Sequence, residues 1–224
     1  MRAHAGIRPS AMMAISAGYV PSGIAYGAIA TTLHVPVYVT LALSALVYSG
    51  AVQSAFLGFW TIGLDPGALL LTAFLLNLRH TFYGPHIGSI RGDLRLKDIL
   101  AISPLLTDEV YALSVSEPPI PAGSVRALSI YAYINWVGSS AIGSLAAIAL
   151  PARVDLAMAI ALPALFLALL VPKVADRSTA IAAASSGAIA VAMRLMGLQS
   201  YFIILPIAVG AAAGFFAISR RRKP

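Results

Sequence analysis

The sequence consists of long apolar runs separated by short polar turns. A helix that crosses a bilayer needs about 20 apolar residues, and seven runs approach or exceed this length. They cover residues 10–33, 37–62, 67–89, 125–150, 155–172, 179–196 and 199–219. Pro and Gly mark the turns between them, as at Asp65-Pro66-Gly67. The pattern therefore predicts seven transmembrane helices with short connections.

The segment 99–116 departs from this pattern. It is long enough to cross a bilayer, but Pro104 interrupts it, and Asp108 and Glu109 lie near its middle. It predicts either an eighth span or a re-entrant element. With seven spans, the three helices before this segment and the three after it run in opposite directions, which is the plan of an inverted repeat. The predicted fold class is an all-α polytopic membrane protein with about seven transmembrane helices and one short or re-entrant polar segment, compatible with an inverted repeat, in a single domain over residues 1–224.

Composition favours lipid as the solvent. Hydrophobic residues make up 59% of the chain and charged residues 10%, and the mean hydropathy is +0.87. Soluble domains carry about 25% charged residues. The net charge of +7 is scattered between the apolar runs and ends in a basic tail at 220–223, which fits anionic headgroups better than nucleic acid. Counting basic residues on each side places this tail in the cytoplasm with either seven or eight spans, so we expect a multi-pass cell-membrane protein.

Small residues spaced four apart predict close helix packing, because in lipid such residues let neighbouring backbones approach. The pairs are Gly23 and Gly27, Ser139 and Gly143, and Gly210 and Gly214. The first helix also contains Gly18, Pro21 and Gly23 within six residues. Because proline removes a backbone donor, this stretch predicts either a simple kink or an unwound segment that supplies donors to a carboxylate group.

Polar side chains within the apolar runs are the candidate functional residues, because an unpaired polar group at membrane depth costs several kcal/mol. Ser49 and Gln53 lie four apart and share a helix face. The Gln53 amide offers donors and an acceptor that suit a zwitterion. The alternative that spacing alone favours is a hydrogen bond between helices.

A second group follows in the third run, where Arg79, His80 and Tyr83 lie within one arc of a helix and Asn77 lies next to His80. Arg79 is a candidate for binding a substrate carboxylate or for neutralising a buried acid, and His80 is a candidate proton carrier. The alternative places Arg79 at the membrane edge, with its charged end in the headgroups.

A third group is the adjacent pair Asp108 and Glu109. Burial and mutual repulsion favour protonation of one of them, as a proton-coupled carrier requires, unless Arg79 pairs with one of the two. The alternative is a hydrated helix end at which Asp108 is a cap. A fourth and weaker group is Tyr131, Asn135 and Trp136, since aromatic residues are common at membrane interfaces.

These polar groups carry a resemblance to a known family. The run Val47-Tyr48-Ser49-Gly50-Ala51-Val52-Gln53 is similar to the (A/S)GA-x-Q motif of the AzlC family, and Asn77-Leu78-Arg79-His80 with Tyr83 is similar to its N-x-R-H-x-x-Y motif. Thr107-Asp108-Glu109-Val110-Tyr111-Ala112-Leu113 resembles its T-D-E-x-(F/Y)-A-L motif, and the stretch 155–177 resembles its late segment. The motifs occur in the family's order over most of the chain. One departure is Ser54, where the family commonly has Phe.

The resemblance implies a large subunit of a branched-chain amino acid permease. It implies export of Leu, Ile and Val, with Met as a further candidate, across the cytoplasmic membrane, driven by an ion gradient, together with a small membrane subunit of the AzlD type. The chemistry of the matching motifs gives the candidate site. We expect Ser49, Gln53, Asn77, Arg79 and Tyr83 to bind the substrate, and His80, Asp108 and Glu109 to couple transport to protons. We expect no metal or cofactor, and we expect the protein not to be an enzyme.

Two other functions are compatible with the sequence. One is an intramembrane serine hydrolase with Ser49 as nucleophile, His80 as base and Asp108 as the residue that orients the base. The other is a scaffold subunit whose partner performs the transport.

Overall fold

The described part of the chain is entirely helical in its regular elements. The computed structural model describes residues 9–63, 65–90, 95–115, 122–149, 176–197 and 204–219, together with Leu167, Val171 and Val174. The helices are α1 (Pro9–Thr32), α2 (Val37–Ala42), α3 (Gly50–Ile62), α4 (Pro66–Asn77), α5 (His80–Ile90), α6 (Leu96–Ile102), α7 (Asp108–Ser114), α8 (Ala122–Ala149), α9 (Arg177–Leu195) and α10 (Ile204–Ser219). The predicted all-α class is confirmed.

Three of these helices are long and apolar enough to cross a membrane. They cover Pro9–Thr32, Gly123–Ala149 and Arg177–Leu195. Their bounds match the predicted spans 10–33, 125–150 and 179–196 to within a few residues. The predicted span 155–172 lies outside the described residues apart from Leu167 and Val171.

Two predicted spans are interrupted. In place of one helix over 37–62, a π-helical segment, Leu43–Val47, extends α2, and Tyr48 then adopts a left-handed conformation with φ 47° before α3 begins. In place of one helix over 67–89, α4 ends at Asn77 and α5 begins at His80. Apolar periodicity does not detect such breaks, because the residues on either side remain apolar.

The polar segment 99–116 contains two short helices and a break between them. The end of α6 continues as a 3₁₀ turn, Ser103–Leu105, and α7 starts at Asp108 after an extended Leu106 and Thr107. Thr107 caps α7 by accepting a hydrogen bond from the Val110 amide at 3.4 Å. Asp108 is therefore the first residue of the helix and not its cap.

Small residues bring α1 and α8 into close contact. A methyl group added at Gly27 would overlap the backbone of Ser140, and one added at Gly143 would overlap the carbonyl group of Ile24. Gly23 lies in the same way against Ser139. The predicted packing role of these residues is confirmed.

The predicted packing role of Gly210 and Gly214 is confirmed as well. Gly210 lies against Ser186 of α9 and Gly214 lies against Ala182, so that these two helices pack closely. Asp176 caps α9, and the hydrogen bond that its carboxylate accepts from the Thr179 amide holds the pKa of Asp176 below its usual value.

The structure also contradicts the prediction of an unwound segment around Pro21. Helix α1 continues through Pro21 from Pro9 to Thr32. Proline removes only one hydrogen bond from a helix of this length. Tyr19 and Gly23, on either side, are buried, so packing keeps this stretch helical.

Candidate functional site

A cavity of about 840 Å³ lies where the helix interruptions meet. Its volume falls within the range of about 300–1,000 Å³ that is typical of small-molecule sites. The polar residues among those that line it are Tyr19, Tyr48, Ser49, Thr61, Thr72, Arg79, His80, Thr107, Asp108, Glu109, Trp136 and Arg194. Tyr19 and Glu109, which are 90 positions apart in the sequence, are thus brought together by the fold.

Arg79 and Asp108 form an ion pair at the wall of this cavity. Arg79 Nη1 lies 2.7 Å from Asp108 Oδ2, and the side chains are 43% and 18% exposed. Tyr83 donates a hydrogen bond to Asp108 Oδ1 at 2.6 Å. Both carboxylate oxygens of Asp108 are therefore bound by residues of the N-x-R-H-x-x-Y motif. Of the roles considered for Arg79, the structure shows it neutralising an acid.

Glu109 turns to a different part of the cavity. Tyr19 of α1 donates a hydrogen bond to Glu109 Oε2 at 2.7 Å. Successive residues of a helix are about 100° apart, so the two acids in the first turn of α7 face different partners. The adjacent carboxylates thus have distinct surroundings.

Aromatic contacts hold Tyr83 in place. Its ring stacks on Tyr111 with centroids 4.3 Å apart and meets the edge of the His80 ring at 5.3 Å. His86 in turn hydrogen-bonds the Tyr111 hydroxyl group through Nδ1 at 2.5 Å. The candidate residues Tyr83 and His80 thus belong to one aromatic cluster beside the ion pair.

A hydrogen bond between Ser49 and Asn77 joins the two helix interruptions, one before α3 and one after α4. The Ser49 hydroxyl group donates to Asn77 Oδ1 at 2.9 Å, which links the start of α3 to the end of α4. A serine hydrolase would need this hydroxyl group next to a base such as His80. The structure directs it to an amide oxygen, and the hydrolase hypothesis is not favoured.

Gln53 lies in the protein interior and is not among the residues that line the cavity. Its amide donates to Ser44 Oγ at 2.9 Å and accepts from Trp136 Nε1 at 2.8 Å. The hydrogen bond between helices, which was the alternative for this residue, is the arrangement that the structure shows. Gln53 thereby fixes the π-helical segment and α8 against α3.

Replacement of Gln53 by Leu should lower the stability of the protein. The change leaves the Trp136 indole and the Ser44 hydroxyl group without their partner in the interior, and each such loss costs about 1–3 kcal/mol. We expect a lower midpoint of thermal unfolding for the purified variant in detergent. The double variant with Trp136→Phe should lose less than the two single variants together, and additive losses would contradict the pairing.

The fourth predicted group is divided by the structure. The Tyr131 hydroxyl group and Asn135 Oδ1 hydrogen-bond Ser16 of α1 at 2.6 and 3.1 Å, whereas Trp136 reaches Gln53 and lines the cavity. The first two residues therefore link α1 to α8.

Six of the described polar residues that line the cavity were not among the candidate residues. They are Tyr19, Tyr48, Thr61, Thr72, Thr107 and Arg194. Tyr48 lies directly before Ser49 in its motif, and Tyr19 lies two residues before Pro21. The signal that could have identified these residues is that each carries a polar group within an apolar run. Among the described residues, no three His, Asp or Glu side chains are grouped in a way that could hold a metal ion.

Apolar helices of membrane-spanning length define a helical membrane protein, and interrupted helices around a charged cavity are typical of transporters. The chain belongs to the AzlC family, because the family model described as "AzlC protein" matches residues 14–150. The motifs that line the cavity all fall inside this range.

Two relatives extend the match beyond that range. An uncharacterized membrane protein of Archaeoglobus fulgidus is 34% identical over 194 residues, which cover 86% of this chain and 85% of the relative. The inner membrane protein YgaZ of Escherichia coli is 27% identical over 222 residues, which cover 93% of this chain and 86% of the relative. No solved structure matches the chain.

Proposed function

We propose that this protein is a secondary transporter that exports branched-chain amino acids across the cell membrane. The substrates are Leu, Ile and Val, with Met as a further candidate, and the energy comes from an ion gradient. A small membrane subunit of the AzlD type completes the permease. Membership of the AzlC family supports the transporter class.

The observation that carries the proposal is the pairing of charged groups inside the cavity. Arg79, Asp108 and Glu109 line a space of about 840 Å³ together with apolar residues such as Phe59 and Ile62. A zwitterion with an aliphatic side chain needs charged groups for its two charges and an apolar surface for its side chain. Its ammonium group would lie near the carboxylates, and its side chain would lie on the apolar wall.

Proton exchange at His80, Asp108 or Glu109 would couple transport to the gradient. Tyr83 holds Asp108 and His80 in position by the hydrogen bond and the ring contact described above. The hydrogen bond between Ser49 and Asn77 joins the two helix interruptions, and Gln53 binds the cavity-lining residue Trp136 from the protein interior. No step of this cycle breaks or forms a covalent bond in the substrate, so the protein is a carrier and not an enzyme.

The proposal also covers the arrangement in the membrane. The chain forms one domain with seven spans, the polar segment 99–116 is re-entrant, and the basic tail is cytoplasmic. The reciprocal contacts of Gly27 and Gly143 in α1 and α8 are compatible with an inverted repeat.

The test is transport by purified protein in proteoliposomes loaded with labelled leucine. An imposed pH gradient should drive leucine efflux, and unlabelled isoleucine and valine should compete. Liposomes without protein are the control, and the assay is repeated with the small subunit present. Absence of gradient-dependent efflux in both preparations would refute the proposal. Efflux only with the small subunit would fit a two-subunit permease, whereas efflux from liposomes that contain the small subunit alone would favour the scaffold hypothesis.

A further inference from the structure

The N-terminal end of α3 opens onto the cavity without a side-chain cap. Ser49 occupies the N-cap position, but its hydroxyl group donates to Asn77 and makes no capping bond to α3. The amides of the first turn of a helix have no acceptor within that helix. Gly50 and Ala51, which carry two of these amides, line the cavity.

Three other helices of this protein begin with a side-chain cap, whereas α2 and α6 do not. Asp65, Thr107 and Asp176 each accept a hydrogen bond from the first turn of the helix that follows. Serine is as good a cap as these residues. The open start of α3 is therefore a consequence of the bond between Ser49 and Asn77 and not of the residue type.

Two hydroxyl groups of cavity-lining residues have no hydrogen-bond partner among the residues that the structure describes. Tyr48 Oη and Thr72 Oγ1 are both buried, and the two residues are only 9% and 2% exposed. Buried polar groups are nearly always paired, so an unpaired one calls for an explanation such as a missing ligand. Tyr48 also has φ 47°, a costly conformation for a residue other than glycine and one that concentrates at ligand sites.

We propose that the N-terminal end of α3 binds the carboxylate group of the substrate through the amides of Gly50 and Ala51, with the Tyr48 hydroxyl group as a further donor. The partial positive charge of a helix N-terminus favours an anion, and interrupted helices of transporters present such ends to anionic substrate groups. Arg79 is the competing candidate, but its guanidinium group already binds Asp108 at 2.7 Å. The inference rests on the proposed function, since it takes an amino acid as the substrate.

The Gly50→Pro variant tests this inference, with Gly50→Ala as its matched control. Proline removes one amide donor, is tolerated at the first position of a helix, and needs an extended residue before it. Ser49 meets that need with φ −140° and ψ 103°. Alanine adds a side chain but keeps the amide. The measurement is binding of L-leucine and of L-leucinamide, which lacks the carboxylate, by calorimetry on the purified full chain in detergent.

The wild-type protein should prefer leucine to leucinamide by about tenfold or more, as expected for hydrogen bonds to a charged group. Gly50→Pro should lose most of this preference, and Gly50→Ala should retain it. Tyr48→Phe, which keeps the ring, should weaken leucine binding several-fold and leave leucinamide binding unchanged. This second variant keeps the test decisive if Gly50→Pro does not fold.

Three outcomes would overturn the inference, and they differ in what they imply for the proposed function. Equal wild-type affinity for leucine and leucinamide would overturn the inference alone. A preference that survives Gly50→Pro and Tyr48→Phe but is lost in Arg79→Gln would assign the carboxylate to Arg79. Absence of leucine binding to the wild-type protein would refute both the inference and the proposed function.

Discussion

Replacement of Asp108 by Asn is expected to reduce gradient-driven leucine efflux by about tenfold or more, the loss that corresponds to one charge-assisted hydrogen bond. The change removes the anion that faces Arg79 and leaves the guanidinium group without its partner at 2.7 Å. It also replaces the carboxylate oxygen that accepts the hydrogen bond from Tyr83 at 2.6 Å by an amide oxygen or an amide NH₂ group. Both the charge balance of the cavity and a candidate proton carrier are lost.

The measurement is efflux from proteoliposomes at a fixed leucine load and a stepped pH gradient. Glu109→Gln and His80→Ala are compared in the same assay, because all three residues line the cavity. Asp65→Asn is the matched control. It makes the same chemical change at an acid that is not among the cavity-lining residues, and Asn caps a helix as well as Asp does.

The three variants separate coupling from binding. A residue that only carries protons should, when replaced, leave leucine counterflow without a gradient intact and abolish the response to the gradient. A residue that binds the substrate should reduce both. Unaltered gradient-driven efflux in all three variants would remove the coupling mechanism and leave the transporter class standing.

Replacement of Gly143 by Ala should have the largest effect on folding. A methyl group at this position would overlap the carbonyl group of Ile24, which is backbone and cannot rotate away. Overpacking a tight site costs about 1–3 kcal/mol, and more where the backbone must move. We expect α1 and α8 to separate and the yield of folded protein to fall severely.

Gly138→Ala is the matched control on the same helix. In the described part of the chain, nothing lies within 4 Å of a methyl group added there. In a helix interior, alanine is favoured over glycine by about 0.5–1 kcal/mol, so this variant should be as stable as the wild-type protein or slightly more so. The midpoint of thermal unfolding is measured for both variants, with size-exclusion chromatography in detergent used to monitor the loss of folded protein. Equal midpoints for the two would show that α1 and α8 are not held by this contact.

The polar motifs were found from the sequence because each places a costly group within an apolar run. Asp108 and Glu109 are two adjacent acids in the otherwise apolar segment 99–116, so the sequence identifies them as candidates without knowledge of their neighbours in the fold. Their partners were harder to find. Tyr19 is an ordinary residue of an apolar helix until the fold brings its hydroxyl group to 2.7 Å from Glu109.

Gln53 shows the opposite difficulty. Its amide in an apolar run has the same signature as a ligand-binding group, yet both ends are bonded within the protein, to Ser44 and to Trp136. Sequence spacing indicates which residues share a helix face. It does not indicate whether that face turns to a cavity or to a neighbouring helix.

The sequence by itself determined the helical class, the membrane as solvent, the small residues of the α1 and α8 contact and the family. Each of these follows from the composition or the local order of residues, because a stretch of about 20 residues is enough to show both the apolar character and the periodicity of a helix in lipid. Only the tertiary structure decided where the helices break and which polar groups meet. Pro21 is the strongest break signal in α1, yet that helix is continuous, whereas the chain breaks at Tyr48 and Ser49, where no proline occurs. The free energy of a break is set by the hydrogen bonds and packing that surrounding helices provide, and those contacts join residues far apart in the chain.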